Sequence, residues 1–135
     1  MLSRSGIYAI RAAAALARVP RGKFIGAGEL AKQIDAPRNY LSKILQELAR
    51  HGVLESQKGV GGGFRLAQDP KQITLLDVVD PVERLTRLMG CILGRPECRD
   101  DSPCPLHARW KKIREEYLQL LRGTTLADLA EMEFF

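Results

Sequence analysis

Residues 29–66 read ELAKQIDAPRNYLSKILQELARHGVLESQKGVGGGFRL, and this run decides the fold. Glu29 to Ile34 is a short helical stretch, Ala36-Pro37 is a turn, and Asn39 to Arg50 is a second helix. In that helix Leu41, Ile44, Leu45 and Leu48 recur at the spacing of one buried face. Gly52 stands where a glycine commonly closes a helix. Short helix, tight turn and helix make a helix-turn-helix. Two strand-like segments follow, Val53 to Gln57 and Phe64 to Ala67. Between them, Lys58-Gly59-Val60-Gly61-Gly62-Gly63 holds four glycines in six residues, which suits a hairpin tip needing positive φ. A helix-turn-helix that runs directly into a glycine-rich hairpin is a winged helix, so the expected class is mainly α with a small β-hairpin. The glycine run is not a phosphate loop. A dinucleotide fingerprint needs glycine where Phe64 or Leu66 stands, and no Gly-Lys-Ser/Thr occurs.

Upstream, Ser3 can cap a helix from Arg4 to Ala17, with Ile7, Ile10, Ala14 and Ala17 on one face. Pro20, Arg21 and Gly22 end it. Downstream, Thr74 opens a helix carrying Leu75, Leu76, Val78 and Val79 and stopped at Asp80-Pro81. A stretch from Val82 to Met89 leads to a loop, Cys91 to Pro105, punctuated by Gly94, Pro96, Pro103 and Pro105. From Leu106 to Leu121, the residues Leu106, Trp110, Ile113, Tyr117, Leu120 and Leu121 form a seam suited to packing on another helix. Thr124-Thr125 caps a last short helix with Leu126 and Leu129. The expected division is 1–80 for the winged helix and 81–135 for the cysteine loop and long helix.

The chain has 135 residues, the length of one domain, with 45% hydrophobic and 27% charged residues, ordinary globular values. The longest uncharged apolar run, Ala12 to Ala17, is far short of the roughly 20 residues of a membrane span. Arg11 interrupts any apolar signal core, and a soluble, cytoplasmic protein is expected. The net charge of +5 is unevenly placed: residues 1–65 carry +7 and residues 66–135 carry −2. A basic first half points to a polyanion. Near the start of the second helix, Arg38, Asn39, Ser42 and Lys43 are placed to reach base edges in the major groove of double-stranded DNA. Lys58, Gly59 and Gly61 of the wing, with Arg65 beside it, suit phosphates or the minor groove. Arg4 and Arg11 are candidate phosphate contacts. No acid/base pair or activated nucleophile is visible, so an enzyme is not expected.

Cys91, Cys98 and Cys104 lie within 14 residues, and His107 follows three positions later. Three thiolates and an imidazole suit an iron–sulfur cluster or zinc. Zinc ribbons favour Cys-x-x-Cys pairs, which are absent, and wide spacings on a loop better suit a cluster. Free thiols reacting directly with oxidants are the remaining alternative. His51, at the end of the second helix, is placed to favour the helix dipole rather than to ligate.

Together these residues resemble, over nearly the whole chain, the winged-helix iron–sulfur transcription regulators that include IscR, NsrR and CymR. The resemblance is carried by Gly6-Ile7-Tyr8-Ala9-Ile10-Arg11, Tyr40-Leu41 with Leu48, Gly52-Val53-Leu54, the wing from Lys58 to Leu66, the three-cysteine loop, and Thr125-Leu126-Ala127-Asp128-Leu129. It implies a homodimer joined through the long helix, reading a palindromic operator, with a cluster held by the three cysteines. In the IscR-like type a histidine soon after the third cysteine completes a 2Fe–2S site, the place of His107. In the NsrR-like type an acidic residue before the tyrosine of the first helix binds a 4Fe–4S cluster, and here that place is Ile7. The resemblance therefore implies a 2Fe–2S site, with 4Fe–4S or structural zinc as alternatives, or a CymR-like repressor controlled by a partner without a cluster. Six residues separate the first two cysteines where the IscR type has five. Ser42 and Lys58 also replace that type's glutamate and arginine, so operator sequence does not carry over.

Overall fold

The computed structural model describes residues 2–85 and 90–131. Helix α1 spans Arg4–Ala17, and the Ser3 hydroxyl accepts the Gly6 N–H at 3.2 Å, as its cap position requires. Its buried face is not the expected one. Gly6, Ala9, Ala12, Ala13, Ala14 and Leu16 are buried, while Ile7 is exposed and Ile10 and Ala17 are only partly covered. The reason is close packing: α1 sits among α2, α3, α4 and α6, and an alanine stripe lets those helices approach where isoleucines would not fit.

Helix α2, Ala27–Ile34, ends at Asp35, whose φ of 54° turns the chain into Pro37 and helix α3, Arg38–Arg50. Leu41, Ile44, Leu45 and Leu48 are buried, as their spacing predicts. Gly52, at φ 79°, carries the chain out of α3 toward strand β1, Leu54–Gln57. It pairs antiparallel with β2, Gly63–Leu66, in the register Leu54↔Leu66 and Gln57↔Gly63. A third backbone segment braces the hairpin: Ile25 N–H reaches Phe64 O at 2.9 Å and Phe64 N–H reaches Ile25 O at 2.8 Å. Gly63 makes this approach possible. Its φ is 133°, and a Cβ there would overlap the Ile25 backbone carbonyl.

A 3-10 turn at Pro70–Gln72 leads to helix α4, Leu75–Glu83, whose Thr74 and Asp77 form a reciprocal capping box. The expected stop at Asp80-Pro81 is wrong, because Pro81 lies inside the helix. Proline removes one backbone hydrogen bond and crowds the preceding turn. Burial of Leu75, Val78 and Val79 and the short remainder of the helix outweigh that loss. The helix ends two residues later at Glu83, capped by Arg84 at φ 51°, and Leu85 is buried. The rest of the Val82–Met89 stretch, residues 86–89, lies outside the described residues.

Residues 91–105 form turns and bends without regular structure, as expected. Helix α5, His107–Gly123, and the short α6, Leu126–Ala130, complete the chain, with α6 held by a Thr125–Asp128 capping box. Leu75 N–H to Thr124 O and Leu126 N–H to Ile73 O, each 2.9 Å, tie α6 to the start of α4. Leu118, Leu121 and Leu126 join the same hydrophobic core as α1 and α3. Among the described residues no helix is long and apolar enough to cross a membrane.

Candidate nucleic-acid interface and metal centre

Helix α3 presents Arg38, Asn39 and Lys43 to solvent, and Ser42 is half-buried beside them. The helix is held by more than its leucines. The Tyr40 ring stands edge-on to Tyr8 of α1 with centroids 5.7 Å apart, and its hydroxyl hydrogen-bonds Ser5. At the other end His51 Nδ1 lies 3.0 Å from Glu47 O, the helix-terminal role its position suggests.

The wing tip is open. Lys58, Gly59, Val60 and Gly61 are exposed, and Gly59 and Gly61 have φ of 91° and 77°. Val60 projects wholly into solvent between them. Arg65 is engaged inside the fold: its Nε lies 2.7 Å from Glu55 Oε2, it donates to Gly22 O at 3.1 Å, and it sits 4.3 Å over the Phe24 ring. It braces the wing against the turn before α2. Arg4 is exposed on α1, and Arg11 is half-buried.

The second candidate site is the loop before α5. All three cysteines are free and part-buried. Cys98 Sγ lies 3.2 Å from His107 Nδ1. Cys104 stands near enough to Cys91 to help lower its thiol. Among the described residues no group of three His, Cys, Asp or Glu side chains stands close enough to hold a single metal ion. The loop organises itself: Arg95 donates to the backbone and hydroxyl of Ser102, Cys91 N–H reaches Arg95 O at 3.1 Å, and Trp110 Nε1 of α5 donates to Gly90 O at 3.0 Å. The Leu93 N–H donated to Cys91 Sγ pulls that thiol below the ordinary thiol range, with smaller help from Cys104 and Arg95 against the cost of burial.

The other side of the His107 ring meets a residue the sequence reading passed over. Asp100 Oδ1 is 2.8 Å from His107 Nε2, and Lys111 Nζ reaches both Asp100 oxygens at 3.1 and 3.3 Å. The hydrogen bond from His107, and then Lys111, hold the Asp100 carboxyl below the usual carboxylate range. No spacing rule links a loop aspartate to a histidine seven residues on, so only the folded loop reveals it.

Of the expected seam on α5, Leu106, Ile113 and Leu120 are exposed and Trp110 and Tyr117 are half-buried. Leu121 is buried in this chain's own core and presents nothing outward. Burial, with Glu83 nearby, raises the Tyr117 hydroxyl above its ordinary range.

A family model described as Rrf2, iron-dependent transcriptional regulator, matches residues 2–132. A relative from Aquifex aeolicus (strain VF5) that carries the name of an HTH-type transcriptional regulator is 34% identical over 128 residues, 93% of this chain and 88% of its own. Among solved structures, CymR of B. subtilis, "the Global Cysteine Regulator", superposes with a TM-score of 0.83 at 24% identity, covering 99% of this chain and 98% of that one. IscR of T. potens superposes with a TM-score of 0.77 at 21% identity, covering 100% and 93%.

Proposed function

The chain belongs to the Rrf2 family of transcriptional regulators, and from that premise we propose that it is a DNA-binding repressor or activator switched by an iron–sulfur cluster. DNA binding through a winged helix, rather than catalysis, is the family's mode of action. The cluster reading is carried by one observation: His107 Nδ1 stands 3.2 Å from Cys98 Sγ, so an imidazole joins the three loop thiols as a fourth donor. Cys91, Cys98, Cys104 and His107 would hold the cluster, and their wide spacing on a loop suits it better than the closely spaced cysteine pairs of zinc ribbons. The family model's description as iron-dependent supports the same reading.

When bound, the cluster supplies a link between the loop and α5 that responds to iron supply and redox state. The chain's own parts convert that into a DNA signal. Cys91, Cys98 and Cys104 belong to the loop 91–105, while His107 opens α5, so holding all four fixes loop to helix. Trp110, through Gly90, joins α5 to the segment that follows α4. The exposed Leu106, Ile113 and Leu120, with Trp110 and Tyr117, support a homodimer packed through α5. In such a dimer a change in loop 91–105 tilts the two α3 helices relative to each other. Half-sites of a palindromic operator lie about 34 Å apart, so a small tilt changes affinity strongly. In this division residues 1–80 read DNA and residues 81–135 sense and dimerise, in the cytoplasm.

Arg38, Asn39 and Lys43, with Ser42 behind them, would meet base edges. Lys58, Gly59, Gly61 and Arg4 would meet phosphates or the minor groove, with Arg11 and Arg65 at the margin. Selection from a random-sequence duplex pool, with metal-free and reconstituted protein in parallel at fixed salt, tests this. The expected result is a recovered palindrome bound by the two forms with affinities at least about tenfold apart, roughly 1.4 kcal/mol. Equal affinities would refute the switch.

A further inference from the structure

The imidazole at the candidate metal centre is held from both sides. Nδ1 faces Cys98 Sγ at 3.2 Å and Nε2 faces Asp100 Oδ1 at 2.8 Å. An ionised carboxylate only accepts hydrogen bonds, so Nε2 carries the proton and Nδ1 is the nitrogen turned toward the cysteines. The His107 side chain is 11% exposed and that of Asp100 is 74% exposed. The ring is therefore enclosed, and the carboxylate stands between its second nitrogen and water. Lys111 follows His107 by four residues on α5, one turn along the same face, and holds both oxygens of Asp100. Imidazole and ammonium thus come from a helix, while carboxylate and thiol come from the loop. The adjacent carboxylate cannot substitute, because Asp101 is bidentate to Arg99 at 2.9 and 2.7 Å.

We propose that Asp100, braced by Lys111, is a positioning residue that latches the cysteine loop to α5 and selects Nδ1 of His107 as the nitrogen offered to the group held by the cysteines. Histidines that bind metals commonly donate their other N–H to a carboxylate, which fixes tautomer and ring orientation. The Asp100–Lys111 pair is too exposed to matter much for stability, so its effect belongs to the site. The ligating half of the proposal rests on the cluster reading above; the latch itself is a property of the metal-free chain.

The experiment uses full-length protein in two states. In the metal-free state, proton NMR of 15N-labelled protein should show a low-field His107 Nε2–H resonance protected from exchange, assigned by its loss in His107→Gln. It should persist in Asp100→Asn, which keeps an acceptor oxygen, and vanish in Asp100→Ala with little change in urea midpoint. In the reconstituted, reduced state, pulsed EPR with histidine labelled at 15Nδ1 should show Nδ1 coupled to the metal in the native chain and in Asp100→Asn. The Asn variant should have a higher reduction potential, because a negative charge beside the ligand is gone. In Asp100→Ala that coupling should fall as Nε2 competes. Loss of the resonance in Asp100→Ala supports the latch, and a resonance absent from the native chain or unchanged in Asp100→Ala overturns it. A chain that takes up no cluster refutes the cluster reading alone, and the metal-free measurement still decides the latch.

Discussion

Replacing Gly63 by alanine tests how the wing is held. The backbone there has φ 133°, a region that L-residues enter at a cost of about 1–3 kcal/mol. The new Cβ would overlap Ile25 O, Ile25 C and Gly26 N, all backbone atoms that no rotamer change can move. Relief requires opening the Ile25–Phe64 bridge, whose two hydrogen bonds of 2.9 and 2.8 Å contribute roughly 0.5–1.5 kcal/mol each. Alanine also restricts the unfolded chain, which offsets about 0.4–1 kcal/mol. The net expectation is a loss of about 1–5.5 kcal/mol. Gly61→Ala is the matched control, since its φ is 77° but nothing lies within 4 Å of a Cβ there. It should lose only the conformational cost of about 1–2 kcal/mol. Urea unfolding of both variants at constant m-value separates strain from steric overlap. DNA affinity of Gly63→Ala should fall with an unchanged salt slope, because no cation is removed. If Gly63→Ala is no less stable than Gly61→Ala, the third backbone segment is not what braces the wing.

Leu126, fully buried, joins α6 to the core of α1, so Leu126→Ala should cost about 2–5 kcal/mol in urea unfolding, as a core truncation does. Thr125→Ala removes half of the capping box on α6 and should cost about 1 kcal/mol in the same assay. Lys58→Ala at the open wing tip should lower the slope of log affinity against log salt by about 1, measured by fluorescence anisotropy on the selected duplex.

What was legible in the sequence was what local chemistry decides. Ser3, Gly52, Thr74 and Thr125 are terminal residues whose side chains or φ act within a few positions, and each sits where it was read. The leucines of α3 declared its buried face because the opposite face is polar. On α1 the same logic failed. Isoleucine outranks alanine in hydrophobicity, but close helix packing selects the small residues Ala9, Ala12 and Ala13. On α5 the seam from Leu106 to Leu121 is visible, but Leu121 belongs to an inward face with Arg114 and Leu118, a face the pattern hides because a buried arginine carries no hydrophobic signal. By local cost alone Pro81 reads as a stop, and the burial of Val78 and Val79 carries the helix past it. The Ile25–Phe64 bridge joins residues far apart in sequence, and the Asp100 latch depends on how the loop folds back, so neither has a pattern to read. At the candidate site, the donor set Cys91, Cys98, Cys104 and His107 is visible by composition and spacing, and the approach of His107 to Cys98 only from coordinates.

The claim that these four donors hold a cluster is tested most directly on protein purified without oxygen, by visible absorption with iron, labile sulfide and zinc assays on one sample. The account predicts visible bands with about two irons and two sulfides per chain, abolished in Cys98→Ala while the fold and dimer persist. Four of each would keep the cluster and displace His107 as the completing ligand. A colourless protein with stoichiometric zinc that reconstitution does not displace would contradict the account.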